Sequence, residues 1–275
     1  MLEILKAIIF GIIEGITEWL PISSTGHLIL LNDIYGLKVS AEFYEMFEVV
    51  IQLGAIAAVL VLFWDKLMPF AKKNARQQQM VINLWVKVII AVIPSAVLGL
   101  LLDDWMESVL YKPVPVALAL VVYGVAFIAV EQFNGRQRPR IKSVVALDLR
   151  TAVLIGCFQC LALIPGTSRS GATILGALLL GVSRAAASEF SFFLAVPTML
   201  GASLYKTAKF VYSGVGMTFT EFMVLATGCV VSFAVSMFVI RKLMEYVRRN
   251  SFSIFGVYRI ALGIVVILHY LFSLL

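Results

Sequence analysis

Apolar stretches of membrane-spanning length recur from one end of this 275-residue chain to the other. Six of them, residues 43–63, 82–102, 114–131, 188–210, 219–240 and 253–274, are long enough to cross about 30 Å of hydrocarbon as helices. A bilayer core holds no water to satisfy backbone groups, so a spanning chain must be helical or a closed barrel, and runs of this length specify helices. Composition agrees. The chain is 61% apolar and 14% charged, whereas soluble domains are nearer about half apolar and about a quarter charged. Mean hydropathy is +0.98. The N-terminus does not read as a cleavable signal, because Glu3, Glu14 and Glu18 interrupt the apolar run from Leu2 and no small-residue cleavage site follows.

Two regions depart from the simple span. Residues 2–20 and 24–36 are separated by Pro21 and a hydroxyl-rich turn, and the second piece is too short to cross. Residues 151–164 and 170–182 repeat that form around Pro165 and Gly166. Each pair reads as a re-entrant hairpin, 2–36 and 151–182, whose turn lies at membrane depth against protein or water. The net charge of +6 does not indicate nucleic acid, because the basic residues cluster between apolar spans. Lys66, Lys72, Lys73 and Arg76 form one group; Arg136, Arg138, Arg140 and Lys142 a second; Arg241, Lys242, Arg248 and Arg249 a third. That is the distribution of cytoplasmic loops. All three groups fall on one side only if 151–182 returns to the side it left. Three cysteines, Cys157, Cys160 and Cys229, lie in apolar segments and read as buried, inert thiols; the Cys157–Cys160 spacing lacks the strand–turn–helix context of a redox motif.

An internal repeat runs at an offset of 145: Gly11 aligns with Gly156, Glu14 with Gln159, Ser23 with Ser168 and Gly26 with Gly171. The expected fold is therefore an all-α integral membrane protein, one membrane domain over 1–275 built as an inverted-topology repeat. Residues 1–131 and 151–275 form the halves, each a hairpin plus three transmembrane helices. Such folds place the functional site at the midplane, between broken helices.

The stretch 14–27, EGITEWLPISSTGH, carries the chemistry. A charge in hydrocarbon costs roughly 2.5–3.5 kcal/mol on insertion scales and usually marks function. Glu14 and Glu18, four apart, share a helix face, and a helix ending at Pro21 adds its negative terminus. Paired carboxylates there suit a hard divalent cation; the alternative is that they only neutralise Arg169 or Lys87. Ser23, Ser24, Thr25, Gly26 and His27 then open a helix, and Gly166, Thr167, Ser168, Arg169, Ser170 and Gly171 do so in the second hairpin. Helix N-termini with hydroxyl caps bind anions, and an arginine fork fits phosphate oxygens. Two empty N-caps would explain the serines but not the buried arginine. His27, beside these groups, is a candidate acid–base residue; His269, near the C-terminus, reads as interfacial. Together the groups suit phosphoryl transfer, which is mostly positioning and charge neutralisation.

EGITEWLPISSTGH, with FEVVIQLGA at 47–55, PGTSRSGAT at 165–173 and GVSRAAASEFSF at 181–192, resembles the bacterial undecaprenyl-diphosphate phosphatase family, also called the bacitracin-resistance protein family. The resemblance covers essentially the whole chain. It implies removal of the terminal phosphate of undecaprenyl diphosphate, which recycles the lipid carrier for peptidoglycan, and resistance to bacitracin. It also implies dependence on Mg2+ or Ca2+, and a site in the bacterial inner membrane that opens toward the periplasm. The family's glutamate pair falls on Glu14 and Glu18, its serine on Ser24, its histidine on His27 and its arginine on Arg169. Ser23, Thr25, Gly26, Ser168, Ser170 and Gly171 complete the expected phosphate cradle. The partners implied are an isoprenoid diphosphate and membrane lipid, with a second copy of the chain as a further candidate. The residues leave the nucleophile open between Ser24, His27 and water. A lipid flippase or secondary transporter is the competing class, although transport needs no nucleophile.

Orientation is testable in intact cells. A cysteine at Ser40 or Ser213 is expected to react with a membrane-impermeant thiol reagent, and one at Gln78 or Asn250 is expected to be protected; the reverse pattern would invert the topology.

Overall fold

The computed structural model describes residues 1–134 and 138–273, so Arg136 of the second basic group and residue 274 of the last expected span lie outside it. The described chain is helical throughout: α1 (Leu2–Thr17), α2 (Ser24–Tyr35), α3 (Ala41–Val50), α4 (Gln52–Leu62), the single turn α5 (Trp64–Leu67), α6 (Ala75–Leu110), α7 (Pro113–Asn134), α8 (Leu149–Gln159), α9 (Arg169–Leu179), α10 (Arg184–Tyr212), α11 (Phe219–Val247) and α12 (Ser253–Ser273). Six apolar helical stretches among the described residues can cross a membrane, α3 and α4 together forming the first. This is a multi-pass membrane protein.

Boundaries differ from the sequence reading where hydropathy carries no signal. Helix α6 begins at Ala75, capped by Asn74, and continues to Leu110, so the backbone of 103–110, read as a connection, is helical. The first span bends at Ile51, whose N–H reaches both Phe47 O and Val49 O. Cys157 is exposed, and Cys160 and Cys229 are half-buried. The expectation of buried thiols thus fails for Cys157, because an apolar helix in lipid has no polar face to turn outward.

Both broken-helix regions return to the end they start from. At the first, the Lys38 N–H donates to Glu3 Oε2 at 2.8 Å and Lys6 Nζ donates to Gly36 O. At the second, the N–H of Arg140, preceding α8, donates to Gly181 O, following α9, at 2.8 Å. The two mouths lie at opposite ends of α11. Glu221, in its first turn, accepts from the Ser40 N–H beside the first hairpin. Arg248, at its other end, shares a polar crevice with Arg138, Arg140 and Gly181 beside the second. The 29 residues of α11 span roughly 40 Å at the α-helical rise.

Helices pack through small residues, as close approach in lipid requires. α1 packs on α11 and α8 on α6, and these contacts exchange when the halves are exchanged, as do α4 with α11 and α10 with α6; α7 and α12 pair with each other. A Cβ on Gly54 of α4 would sit 2.0 Å from Cys229 O, and one on Gly156 of α8 would sit 2.0 Å from Ala91 O. Gly201 in α10 has nothing within 4 Å. Gly54→Ala and Gly156→Ala are therefore each expected to lower stability by about 1–3 kcal/mol, the cost of overpacking. Gly201→Ala is expected to be neutral or mildly stabilising. Thermal denaturation of the purified protein in one detergent checks both.

Candidate active site

The interruptions in the two hairpins build the site. Thr17 ends α1 by turning its hydroxyl back onto Ile13 O, and Glu18 follows as the C-cap in right-handed conformation. The turn then tightens, the Ile22 N–H reaching Leu20 O at 2.7 Å. Pro21 cannot donate a helical hydrogen bond, so the chain leaves α1 and restarts at Ser24. The second hairpin does the same between Leu163 and Arg169.

Each restart is made by a serine in a conformation that side chains rarely adopt. Ser23 has φ 73° and Ser168 φ 69°, the two non-glycine residues with positive φ among those described. Each cap oxygen accepts from the N–H three residues on, Gly26 for Ser23 and Gly171 for Ser168. Such backbone strain costs of order 1–3 kcal/mol and concentrates at functional sites.

Between the restarts lies a buried ionic cluster. Arg169 donates from Nη2 and Nε to Glu18 Oε1 at 3.1 and 3.3 Å, and from Nη1 to Ser191 O at 2.8 Å. Ser24 Oγ donates to the other carboxylate oxygen, Glu18 Oε2, at 3.0 Å. Ser170 Oγ donates to Glu18 O at 3.1 Å and lies 3.3 Å from Leu20 O. Glu18 and Arg169 side chains are 5% and 10% exposed, and Ser23, Gly26, Ser170 and Gly171 are buried, while Ser24, Thr25, His27 and Ser168 are half-buried. The structure thus brings Ser24, Glu18 and Arg169 into one network. Lys87 is not part of it.

Two sequence expectations change. Glu14 and Glu18 share the end of α1, since Glu18 is still right-handed and its N–H reaches Glu14 O at 3.0 Å, but their surroundings are not equivalent. Glu18 turns to Arg169 and Ser24, while Glu14 is fully buried with neither carboxylate oxygen hydrogen-bonded. That orphaned carboxylate fits a hard divalent cation. Among the described residues no cluster of three or more His, Cys, Asp or Glu forms, so a cation on Glu14 and Glu18 would complete its shell with phosphate oxygens and water, as Mg2+ commonly does. His27 also differs: it does not meet Ser24. Its Nδ1 lies 2.7 Å from Ser23 O and its Nε2 2.7 Å from the Tyr258 hydroxyl, the two rings stacked at 5.7 Å. A carbonyl can only accept, so Nδ1 carries the proton and Nε2 accepts from Tyr258.

His27 and Tyr258 stand in the wall of a cavity of about 540 Å³, otherwise walled largely by apolar side chains such as Ile13, Ile16, Leu20, Ile254 and Phe255. The neighbouring Arg259 is fully buried between the two turns. Sequence reasoning passed over both Tyr258 and Arg259. A charge inside the apolar span 253–274, in its second turn, was the available signal.

The family model described as bacitracin resistance protein BacA matches residues 7–265. Curated relatives are similar along nearly their whole length. The undecaprenyl-diphosphatase of Enterococcus faecalis is 53% identical over 270 residues, 97% of this chain and 97% of that protein. That of Acetivibrio thermocellus is 53% identical over 272 residues, 98% and 99% of the two chains. That of Limosilactobacillus fermentum is 54% identical over 271 residues, 98% of each.

The strained caps separate two effects that a single substitution can resolve. Ser168→Ala loses the Gly171 cap, worth about 1 kcal/mol, and keeps the strain. Ser168→Gly loses the cap but relieves the strain. The glycine variant is expected to melt near or above the parent and the alanine variant below it, read by thermal denaturation.

Proposed function

This chain belongs to the bacitracin resistance protein BacA family, and we propose that it dephosphorylates undecaprenyl diphosphate at the cluster of Ser24, Glu18 and Arg169. The observation that carries the reading is the hydroxyl of Ser24, at the first turn of α2, donating to a carboxylate that Arg169 holds in place. A serine is a weak nucleophile until an adjacent base removes its proton, and Glu18 Oε2 is that base. The terminal phosphate lies between the N-termini of α2 and α9, whose free N–H groups and partial positive charge favour an anion. Arg169 has five N–H donors, and those not directed at Glu18 and Ser191 serve phosphate oxygens.

Ser24 Oγ attacks the terminal phosphorus as its proton passes to Glu18 Oε2. The bond from phosphorus to the bridging oxygen breaks, and the lipid monophosphate leaves with the electron pair. Water then attacks the phosphoserine; Ser24 Oγ departs and regains its proton from Glu18, and the water's proton leaves with inorganic phosphate. His27, its ring held between Ser23 O and the Tyr258 hydroxyl, forms part of the cavity wall, and the apolar cavity takes the first part of the tail. A divalent cation, Mg2+ or Ca2+, held by Glu14 with Glu18, would neutralise charge on the diphosphate oxygens.

The exchange of helix contacts between the halves, and hairpin mouths at opposite ends of α11, support the inverted-repeat reading. Arg138, Arg140 and Arg248 gather at the second mouth, which by the positive-inside rule is cytoplasmic. The first hairpin then opens to the periplasmic face of the inner membrane.

Phosphate release from undecaprenyl diphosphate by the purified protein tests this reading. Ser24→Ala and Glu18→Gln are expected to lower kcat by about 10²–10⁴-fold, the range for loss of positioned proton transfer. Chelation is expected to abolish turnover, with Glu14→Gln raising the cation concentration needed to restore it. Near-normal turnover in Ser24→Ala would remove that residue as nucleophile.

A further inference from the structure

Arg259 lies in the second turn of the apolar helix α12 and is fully buried. Burying a guanidinium in hydrocarbon is costly, and such a charge usually finds a carboxylate. No carboxylate among the described residues pairs with this one. Its partners are two backbone carbonyls from opposite halves of the chain. Nη2 donates to Gly166 O at 2.7 Å and Nη1 to Pro21 O at 3.2 Å, while the guanidinium stands 5.7 Å from the centre of the Tyr123 ring. The fit is close on the remaining side too, since a Cβ on Gly171 would come within 3.4 Å of Nη1.

Pro21 O and Gly166 O belong to the two helix interruptions, and each interruption ends on a strained serine cap. Glu18 sits just before Pro21, and Arg169 just after Gly166. The distance between the turns therefore sets the geometry of the Glu18–Arg169–Ser24 network. A second tie links them: Ser170 Oγ, on α9, donates to Glu18 O and lies near Leu20 O. Ser170 thus fastens the start of the first turn and Arg259 its end. We propose that Arg259 is a positioning residue for the phosphatase reaction, its planar fork bridging Pro21 O and Gly166 O so that the base and nucleophile of one hairpin stay in register with the arginine of the other.

The bridge needs a fork as well as a charge. Arginine presents donors on divergent nitrogens in one rigid plane, whereas a lysine ammonium is a point charge on a flexible stem. Lysine keeps the charge beside the carbonyls but cannot hold both in fixed relation. Because Arg259 touches backbone and not the apolar cavity wall, its loss should affect the chemical step more than substrate capture.

The proposal rests on the phosphatase reading, so wild-type turnover is measured alongside and tests that reading by itself. Arg259→Lys and Arg259→Met are compared with wild type by steady-state kinetics on undecaprenyl diphosphate and by hydrogen exchange in detergent. Small displacements of reacting groups can cost about 10²-fold. On that scale kcat is expected to fall about 10-fold for lysine and about 10²-fold for methionine, with KM within about threefold of wild type. Peptides covering 18–27 and 164–171 are expected to exchange faster in both variants, with the rest of the chain unchanged. The exchange result stands even if the substrate reading fails. Wild-type kcat in either variant, a raised KM at unchanged kcat, unchanged exchange in both turns, or failure of both variants to fold would each overturn the positioning role.

Discussion

The ion pair between Glu18 and Arg169 joins two interrupted-helix segments that lie among apolar helices of membrane-crossing length. An interrupted helix exposes carbonyls on one side of the break and N–H groups on the other, and hydrocarbon satisfies neither. Here side chains of the second hairpin and of α12, with the two caps, supply partners. Ser170 donates to the carbonyl of Glu18, Arg259 donates to those of Pro21 and Gly166, and the serine caps close one N–H in each restarted helix. Neither hairpin is a stable object alone. The site comes into being only when the halves assemble, which makes it part of the folding core as well as a place for chemistry.

That dependence explains the residue type at the two strained positions. Glycine would adopt the positive φ of Ser23 and Ser168 without strain, yet it has no oxygen to cap the following turn. Serine accepts the strain and supplies the cap. The surrounding packing fixes the caps before any ligand arrives, and donors fixed in advance need no reorganisation when charge develops on a reacting phosphate.

Much of the architecture was legible because membrane burial writes it plainly. Spans followed from apolar length, hairpins from short pieces around Pro21 and Pro165, and the return of the second hairpin from the placement of Arg138, Arg140, Arg248 and Arg249. Glu18, Arg169 and Ser24 were legible as costly groups in an apolar context, although which carboxylate would take the arginine was not. Spacing four apart placed Glu14 and Glu18 together at the end of one helix, where the structure has them, but no spacing could say that only Glu18 meets Arg169 and Ser24. His27 turned toward Tyr258 for the same kind of reason. Its partner lies 231 residues away in sequence, and no local pattern encodes such a contact. The end of α6 was missed because residues 103–110 mix charge with apolar side chains, so hydropathy falls while the helix continues.

The apolar cavity beside His27 carries a consequence for how this protein meets its substrate. Its walls come from α1, the turn that follows it, α2, α11 and α12, and about 540 Å³ is within the size of small-molecule pockets and far too little to enclose a polyprenyl chain. On the proposed reading, most of the tail stays among lipid chains while the headgroup is held. Encounter is then a search in two dimensions, within one leaflet, and the relevant concentration is the mole fraction of substrate in the membrane. Added detergent or inert lipid would dilute the substrate without changing its bulk molarity, and the protein would slow as though it had been inhibited.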